Sequence, residues 1–254
     1  MIALQNPKIS TLTPRWAEFR GFSLLFDNPG RDQLGDHDLL ACRPAGQPEL
    51  ALYRALEHWQ DTIGRSALLL EHGLAAMPAS TFHVTAWDGI NAATLAALNP
   101  RTRAAACAWL DALPGPADWP DALAVAQDAR DALQALLPIR FAYGALRNTR
   151  GIGIVAELAP ADEEQAERFE AFQRCRLVHA ERAHAQWGQA YTTRLEPHVT
   201  LGYFLSPMDS ERAQPRIGDW DAQLRDATAG LSLRFDSIGL YGFTDMVRFY
   251  RRAD

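Results

Sequence analysis

Two tripeptides in this chain share a pattern with chemical content: His83-Val84-Thr85 and His198-Val199-Thr200. On a strand, residues two apart stand on the same face about 6.5 to 7 Å from each other, so His83 and Thr85 emerge together while Val84 turns into the core. The second tripeptide repeats that geometry. Brought together across a cleft, the two strands surround a phosphate-sized space with two imidazoles and two hydroxyls. An unperturbed imidazole titrates near neutral pH, so one ring can be neutral while the other is protonated. Phosphodiester cleavage needs that pairing: a base for the attacking oxygen and an acid for the leaving one, on opposite sides of phosphorus. The threonine hydroxyls suit the non-bridging oxygens, whose charge must be held in the transition state. No metal or cofactor is needed for these roles.

Neighbouring residues would supply substrate contacts. Trp87 follows Thr85 by two and is expected on the same face, where its ring could stack a base or else pack in the core. The corresponding place in the second half is Gly202, which leaves room there, and Tyr203 falls by parity on the opposite, packing face. Arg147 and Arg150, in a predicted hairpin turn, and Arg194, just ahead of the second motif, are candidate phosphate partners or ordinary solvated arginines. Gly35-Asp36-His37-Asp38 reads as a polar surface loop, since nothing nearby completes a metal site. His179 and His184 are five apart, the wrong helical spacing for paired ligands, and are expected to face solvent or bond locally.

The elements that must hold the motifs follow from pattern. Phe19 to Asp27 reads as a strand closed by Asn28-Pro29-Gly30, Glu49 to Ile63 as a helix with Leu52, Leu56 and Trp59 on one face, and Thr81 to Asp88 as a strand. Residues 91 to 137 are alanine-rich and interrupted by Asn99-Pro100 and Pro114-Gly115-Pro116, which predicts two or three helices, with Asp118 capping one from Asp121 to Leu136. Strands Ile139–Leu146 and Gly151–Leu158 follow. The clearest helix starts at Asp162-Glu163-Glu164, carries Ala166, Phe169, Leu177, Ala180 and Trp187 on one face, and stops at Gly188. Pro197–Leu205 is the second motif's strand, and a short helix near Asp219–Ala227 precedes strands Leu231–Tyr241 and Val247–Arg251.

The order of elements before Gly151 rhymes with the order after it, an internal duplication signal. One two-lobed domain over 1–254 is expected, with lobe one at about 19–150, a helical insertion at about 91–137, and lobe two at about 151–254.

Composition narrows the function. A net charge of −6 argues against holding long duplex nucleic acid through counterion release. Lys8 is the single lysine and lies in an irregular N-terminal segment. Schiff-base chemistry, phosphate-loop nucleotide hydrolysis and lysyl-adenylate ligation all need a positioned lysine and are excluded on that reading. Gly151-x-Gly153 opens a strand instead of closing one, so it is no dinucleotide fingerprint. Cys42, Cys107 and Cys175 lack paired spacing and read as free, mostly buried thiols. With no membrane-length apolar run and no signal-like start, a cytoplasmic monomer is expected.

FHVT and PHVTLGYF together resemble the paired signature of the two-histidine (2H) phosphoesterase superfamily, the cyclic phosphodiesterases and 2′-5′ RNA ligase-like proteins. The resemblance covers His83, Thr85, His198 and Thr200. It implies an α+β bilobal fold: two antiparallel sheets with pseudo-twofold symmetry around a central cleft, helices on the outer faces. It also implies metal-independent attack on a 2′,3′-cyclic phosphate or a related nucleotide or RNA-end phosphodiester. The alternatives are a non-catalytic nucleotide or RNA-end binding module, or an enzyme for cyclic oligonucleotide signals or ADP-ribose cyclic phosphate. The long stretch 91–137 departs from a simple family connection.

Overall fold

A computed structural model of the protein describes residues 5–11, 15–29, 48–115, 118–149 and 151–252. Arg150, Cys42 and the Gly35–Asp38 cluster lie outside the described residues. The first half contains β1 (Ile9–Thr11), β2 (Arg15–Trp16), β3 (Gly21–Phe26), α1 (Ala51–Ile63), α2 (Arg65–His72), β4 (Leu74–Ala76), β5 (Val84–Trp87), α3 (Pro100–Ala112) and α4 (Ala124–Gln134). Next come β6 (Ile139–Thr149), β7 (Gly153–Pro160), α5 (Glu163–Trp187), β8 (His198–Phe204), α6 (Pro207–Ala213), α7 (Ile217–Thr228), β9 (Ser232–Phe235), β10 (Ile238–Phe243) and β11 (Phe249–Arg251).

Local chemistry accounts for most boundaries. Leu52, Leu56 and Trp59 are buried on α1 as their spacing predicts, and Gly64, at φ +88°, separates α1 from an α2 that the sequence reading had not set apart. In the 91–137 stretch the Asn99 side chain accepts from the Thr102 N–H (3.0 Å), with Pro100 at the first helical position of α3. Asp118 caps nothing, because α4 is entered through a 3-10 turn at Asp121–Leu123. Asp162 caps α5 by accepting from the Gln165 N–H (3.0 Å), and Gly188 (φ +81°) ends it. Leu177 is only partly buried, whereas Arg176 and His179 are inside. His184 is exposed and bonds the Gln189 carbonyl (2.7 Å). Cys107 and Cys175 are half-buried free thiols.

The strands form two antiparallel sheets, one ordered β11-β10-β3-β5 and the other β4-β8-β7-β6-β9, beside the small β1-β2 pair. The predicted Leu231–Tyr241 strand is divided at Asp236-Ser237: β9 pairs with β6, and β10 with β3 in the other sheet. The predicted turn at Arg147 is displaced, since Arg147, Asn148 and Thr149 still pair with Val155, Ile154 and Gly153. The division at 150/151 does not separate the sheets. β4 and β6 belong with the later strands, and β10 and β11 join β3 and β5.

Phe26 on β3 meets Phe141 and Phe235 of the other sheet and Phe172 of α5, with ring centroids 5.8, 5.0 and 5.4 Å away. Phe22 meets Trp109, Trp119 and Trp187, so the 91–137 stretch clads the first sheet.

Both motif strands carry one extra residue at the same place. Leu25 pairs with Thr85 and Leu24 with Trp87, leaving Ala86 unopposed on β5. Val155 pairs with Thr200 and Ile154 with Gly202, leaving Leu201 unopposed on β8. Such a bulge reverses the facing of everything after it. The Leu201 carbonyl is not wasted: it accepts from the Met77 N–H and from buried Gln60 of α1, each at 2.8 Å. A Cβ on Gly202 would stand 2.8 Å from the Ala75 carbonyl oxygen of β4, so glycine is there for close strand approach and not to leave room in a cleft.

The first sheet is tied by Asp27, whose buried carboxylate accepts from Tyr241 (2.5 Å), Ser237 (2.8 Å) and Arg251 Nε (3.0 Å). Asp27→Ala strands the Arg251 guanidinium without its carboxylate and should cost about 3–5 kcal/mol. Chemical denaturation is the check; a loss below about 1 kcal/mol would show the cluster to be dispensable.

Candidate active site

β5 and β8 come into contact, one from each sheet, and a cleft of about 580 Å³ lies over their motif residues. His83, Thr85, His198 and Thr200 all line it, while Val84 and Val199 are fully buried. His83 sits one residue ahead of the paired part of β5, between a turn ending at Thr81 and the strand itself.

The two rings are held in matching ways. Nδ1 of His83 lies 2.8 Å from the Thr81 carbonyl oxygen, and Nδ1 of His198 lies 2.7 Å from that of Glu196. A carbonyl only accepts, so Nδ1 carries hydrogen in both rings and Nε2 is the nitrogen left for proton transfer. Phe249 of β11 backs the His83 ring at 4.7 Å.

The rings differ in electrostatics. His83 has only part of its surface open to the cleft, and burial pulls its pKa down to about 4; charge on His198 and Lys8 adds to this, against the Thr81 carbonyl, which favours the charged ring. Asp88 reaches solvent within the cleft, yet the protein around it raises its carboxyl above the usual range, opposed by the charges of Arg176 and His198.

After the bulges the faces reverse. Trp87, expected beside Thr85, is 2% exposed, packs against Trp187 (5.7 Å) and does not line this cleft. Asp88 and Tyr203, one place further along each strand, line it instead. For Tyr203 the expected face is corrected by the same cause, while the expected packing holds: it is 9% exposed and lies edge-on to Trp16 at 6.0 Å.

Among the candidate arginines, Arg147 and Arg194 both line the cleft. Each is already matched by carboxylates: Arg147 with Glu157 (2.6 Å) and, by a short contact, with Glu196; Arg194 with Glu170 (2.7 Å). The Glu196 bond holds the Arg147 guanidinium above its ordinary pKa.

Lys8 is the cation that sequence reasoning passed over. Asn6 straps its segment to the end of β8 through the Phe204 carbonyl (2.9 Å), and Lys8 Nζ donates to the Tyr203 hydroxyl (3.1 Å). The ammonium also lies over the Phe19 and Tyr203 rings, at 5.2 and 4.5 Å. Among the described residues no carboxylate pairs with it, and it lines the cleft. Its being the single lysine was the available signal. Among the described residues no three metal-ligating side chains cluster, and no described helix is long and apolar enough to cross a membrane.

No known family model matches the chain, and no curated protein does. Solved structures do. A conserved protein of unknown function from Agrobacterium tumefaciens is similar at 17% identity with a TM-score of 0.55, over 97% of this chain and 89% of that one. Usb1 of Kluyveromyces marxianus, solved with uridine monophosphate, aligns at 11% identity with a TM-score of 0.37, over 92% of this chain and 97% of that one. The first likeness is one of fold.

A proton titration followed by NMR should give His83 a midpoint near pH 4. A midpoint near the ordinary 6.5 or above would contradict the burial of this ring. The sign of the stability effect follows: as pH falls from about 6.5 the unfolded chain takes up a proton that folded His83 refuses until about 4, so the fold weakens across that window.

Proposed function

We propose that the protein is a metal-independent phosphodiesterase of the two-histidine kind, acting on a 2′,3′-cyclic phosphate or a related nucleotide or RNA-end phosphodiester. The observation that carries this reading is the matched pair of imidazoles, each fixed through Nδ1 to the carbonyl two residues earlier, in one cleft with Thr85 and Thr200. Matched acid-base groups serve a reaction; binding alone does not call for them.

The depressed pKa of His83 supports giving it the part of the base. Neutral at working pH, its Nε2 takes a proton from water as the water oxygen bonds to phosphorus. The bond from phosphorus to the leaving oxygen breaks, and that oxygen receives the Nε2 proton of His198. Proton exchange with solvent then returns both rings to their starting forms. Thr85 and Thr200 donate hydroxyl hydrogens to the non-bridging oxygens. Lys8 supplies the charge that Arg147 and Arg194, occupied by glutamates, do not.

His83→Ala and His198→Ala should each lower turnover by on the order of 100- to 10,000-fold with the fold retained. Near-normal rates in either variant, on a substrate found by screening cyclic mononucleotides, 2′-5′ dinucleotides, cyclic oligonucleotides and RNA ends, would show the assignment to be wrong. Lys8→Met should reduce kcat/KM by on the order of 100-fold. Turnover should survive EDTA; loss that a divalent ion restores would overturn the metal-independent route.

A further inference from the structure

A second cavity, of about 290 Å³, opens beside the cleft and shares Asp88, Asn91 and Thr192 with it. Trp87, Ala180, Ala183, Arg176 and Gln189 are among the residues that line it. Arg176 is 1% exposed, yet among the described residues it forms no ion pair: Nη2 donates to the Thr192 carbonyl (2.7 Å) and Nε has no partner. Gln189 is 8% exposed; its Nε2 donates to the Gly89 carbonyl (2.7 Å), and its Oε1 has no partner. A desolvated guanidinium with no carboxylate in direct contact, only the field of Asp88 across the cavity, and an amide oxygen without a donor are both costly to maintain in an empty protein.

We propose that this side cavity is a subsite for a nucleobase whose edge sets a carbonyl acceptor beside an N–H donor, as in guanine and uracil. The inference rests on the nucleotide phosphodiester reading above and places the base relative to the reacting phosphate. Arginine is the donor suited to a base carbonyl, and a carboxylate or amide oxygen suits the neighbouring N–H. Arg176 supplies the first; Asp88 and Gln189 supply the second. A phosphate fits less well, since it would meet the Asp88 carboxylate. The indole and alanine walls favour a flat apolar ring, and the volume lies at the small end for ligand pockets. The shared residues let one molecule occupy both spaces, with its phosphate over the histidines.

The test is calorimetric titration of guanosine, uridine and adenosine into the wild-type protein, Ala180→Leu and Arg176→Gln. Ala180→Leu fills the cavity without touching its polar groups; Ala183→Leu replaces it should the first fail to fold. The wild-type protein is expected to bind guanosine or uridine at least tenfold more tightly than adenosine. Filling the cavity should weaken that binding at least tenfold, and Arg176→Gln should abolish the preference. No nucleoside binding at millimolar concentration, no preference over adenosine, or equal binding by the filled variant would overturn the subsite. Hydrolysis of bis(4-nitrophenyl) phosphate, which has no base, tests the reaction separately. Wild-type failure there counts against the enzyme, whereas unchanged rates in Ala180→Leu beside lost nucleoside binding support the subsite.

Discussion

One unopposed residue in each motif strand decides what the cleft contains. Up to Thr85 and Thr200 the strands alternate regularly, which sends the histidine and threonine of each motif to the cleft and the valine between them to the core. Ala86 and Leu201 then interrupt the pairing, and each strand turns its next residues over. Trp87 and Gly202 go to packed surroundings; Asp88 and Tyr203 come to the cleft. That the same device occurs at the same offset in two strands from different sheets is the strongest sign of symmetry in the molecule. It also gives the rest of the fold a task. Gln60, reaching across from α1, and Met77, just past β4, both bond to the carbonyl that the second bulge exposes.

Charge in the cleft is arranged by subtraction. Arginine at its rim is held by glutamate, so Arg147 and Arg194 shape the wall more than they attract an anion. Burial removes the charge from His83. Beside the Asp88 carboxyl, whose pKa its surroundings raise, the histidines share the cleft with an ammonium group set over two aromatic rings and paired with no described carboxylate. A cleft in an acidic protein can in this way be locally receptive to an anion.

Sequence patterns and structure agree where the forces are local and diverge where they are not. The α5 limits were legible because Asp162 and Gly188 act within one turn of the helix. His83, Thr85, His198 and Thr200 were legible because two-residue periodicity holds inside each tripeptide. Trp87 was misplaced because no residue type announces that Ala86 will be unopposed; that depends on how β3 pairs alongside. The joining of β9 and β10 into one expected strand has a similar cause. Apolar residues stand on both sides of Asp236-Ser237, with the alternation slipping there from Leu231, Leu233 and Phe235 to Ile238 and Leu240, and that β9 joins β6 while β10 joins β3 is decided by tertiary pairing. Lys8 was underrated because its segment owes its position to Asn6 and the end of β8, a contact between distant parts of the chain.

The interleaving of the sheets sets the order in which the chain can fold. A ribosome delivers His83 well before β10 and β11, so the strands around it lack half their partners until those two emerge. The Phe249 ring behind His83 and the Arg251 side chain that meets Asp27 come with β11, long after both motifs. A nascent chain can therefore carry both histidines and still have no pocket. The cleft is withheld until β10 and β11 have emerged, and a product cut short upstream of β10 holds the motifs without the strands that wall them.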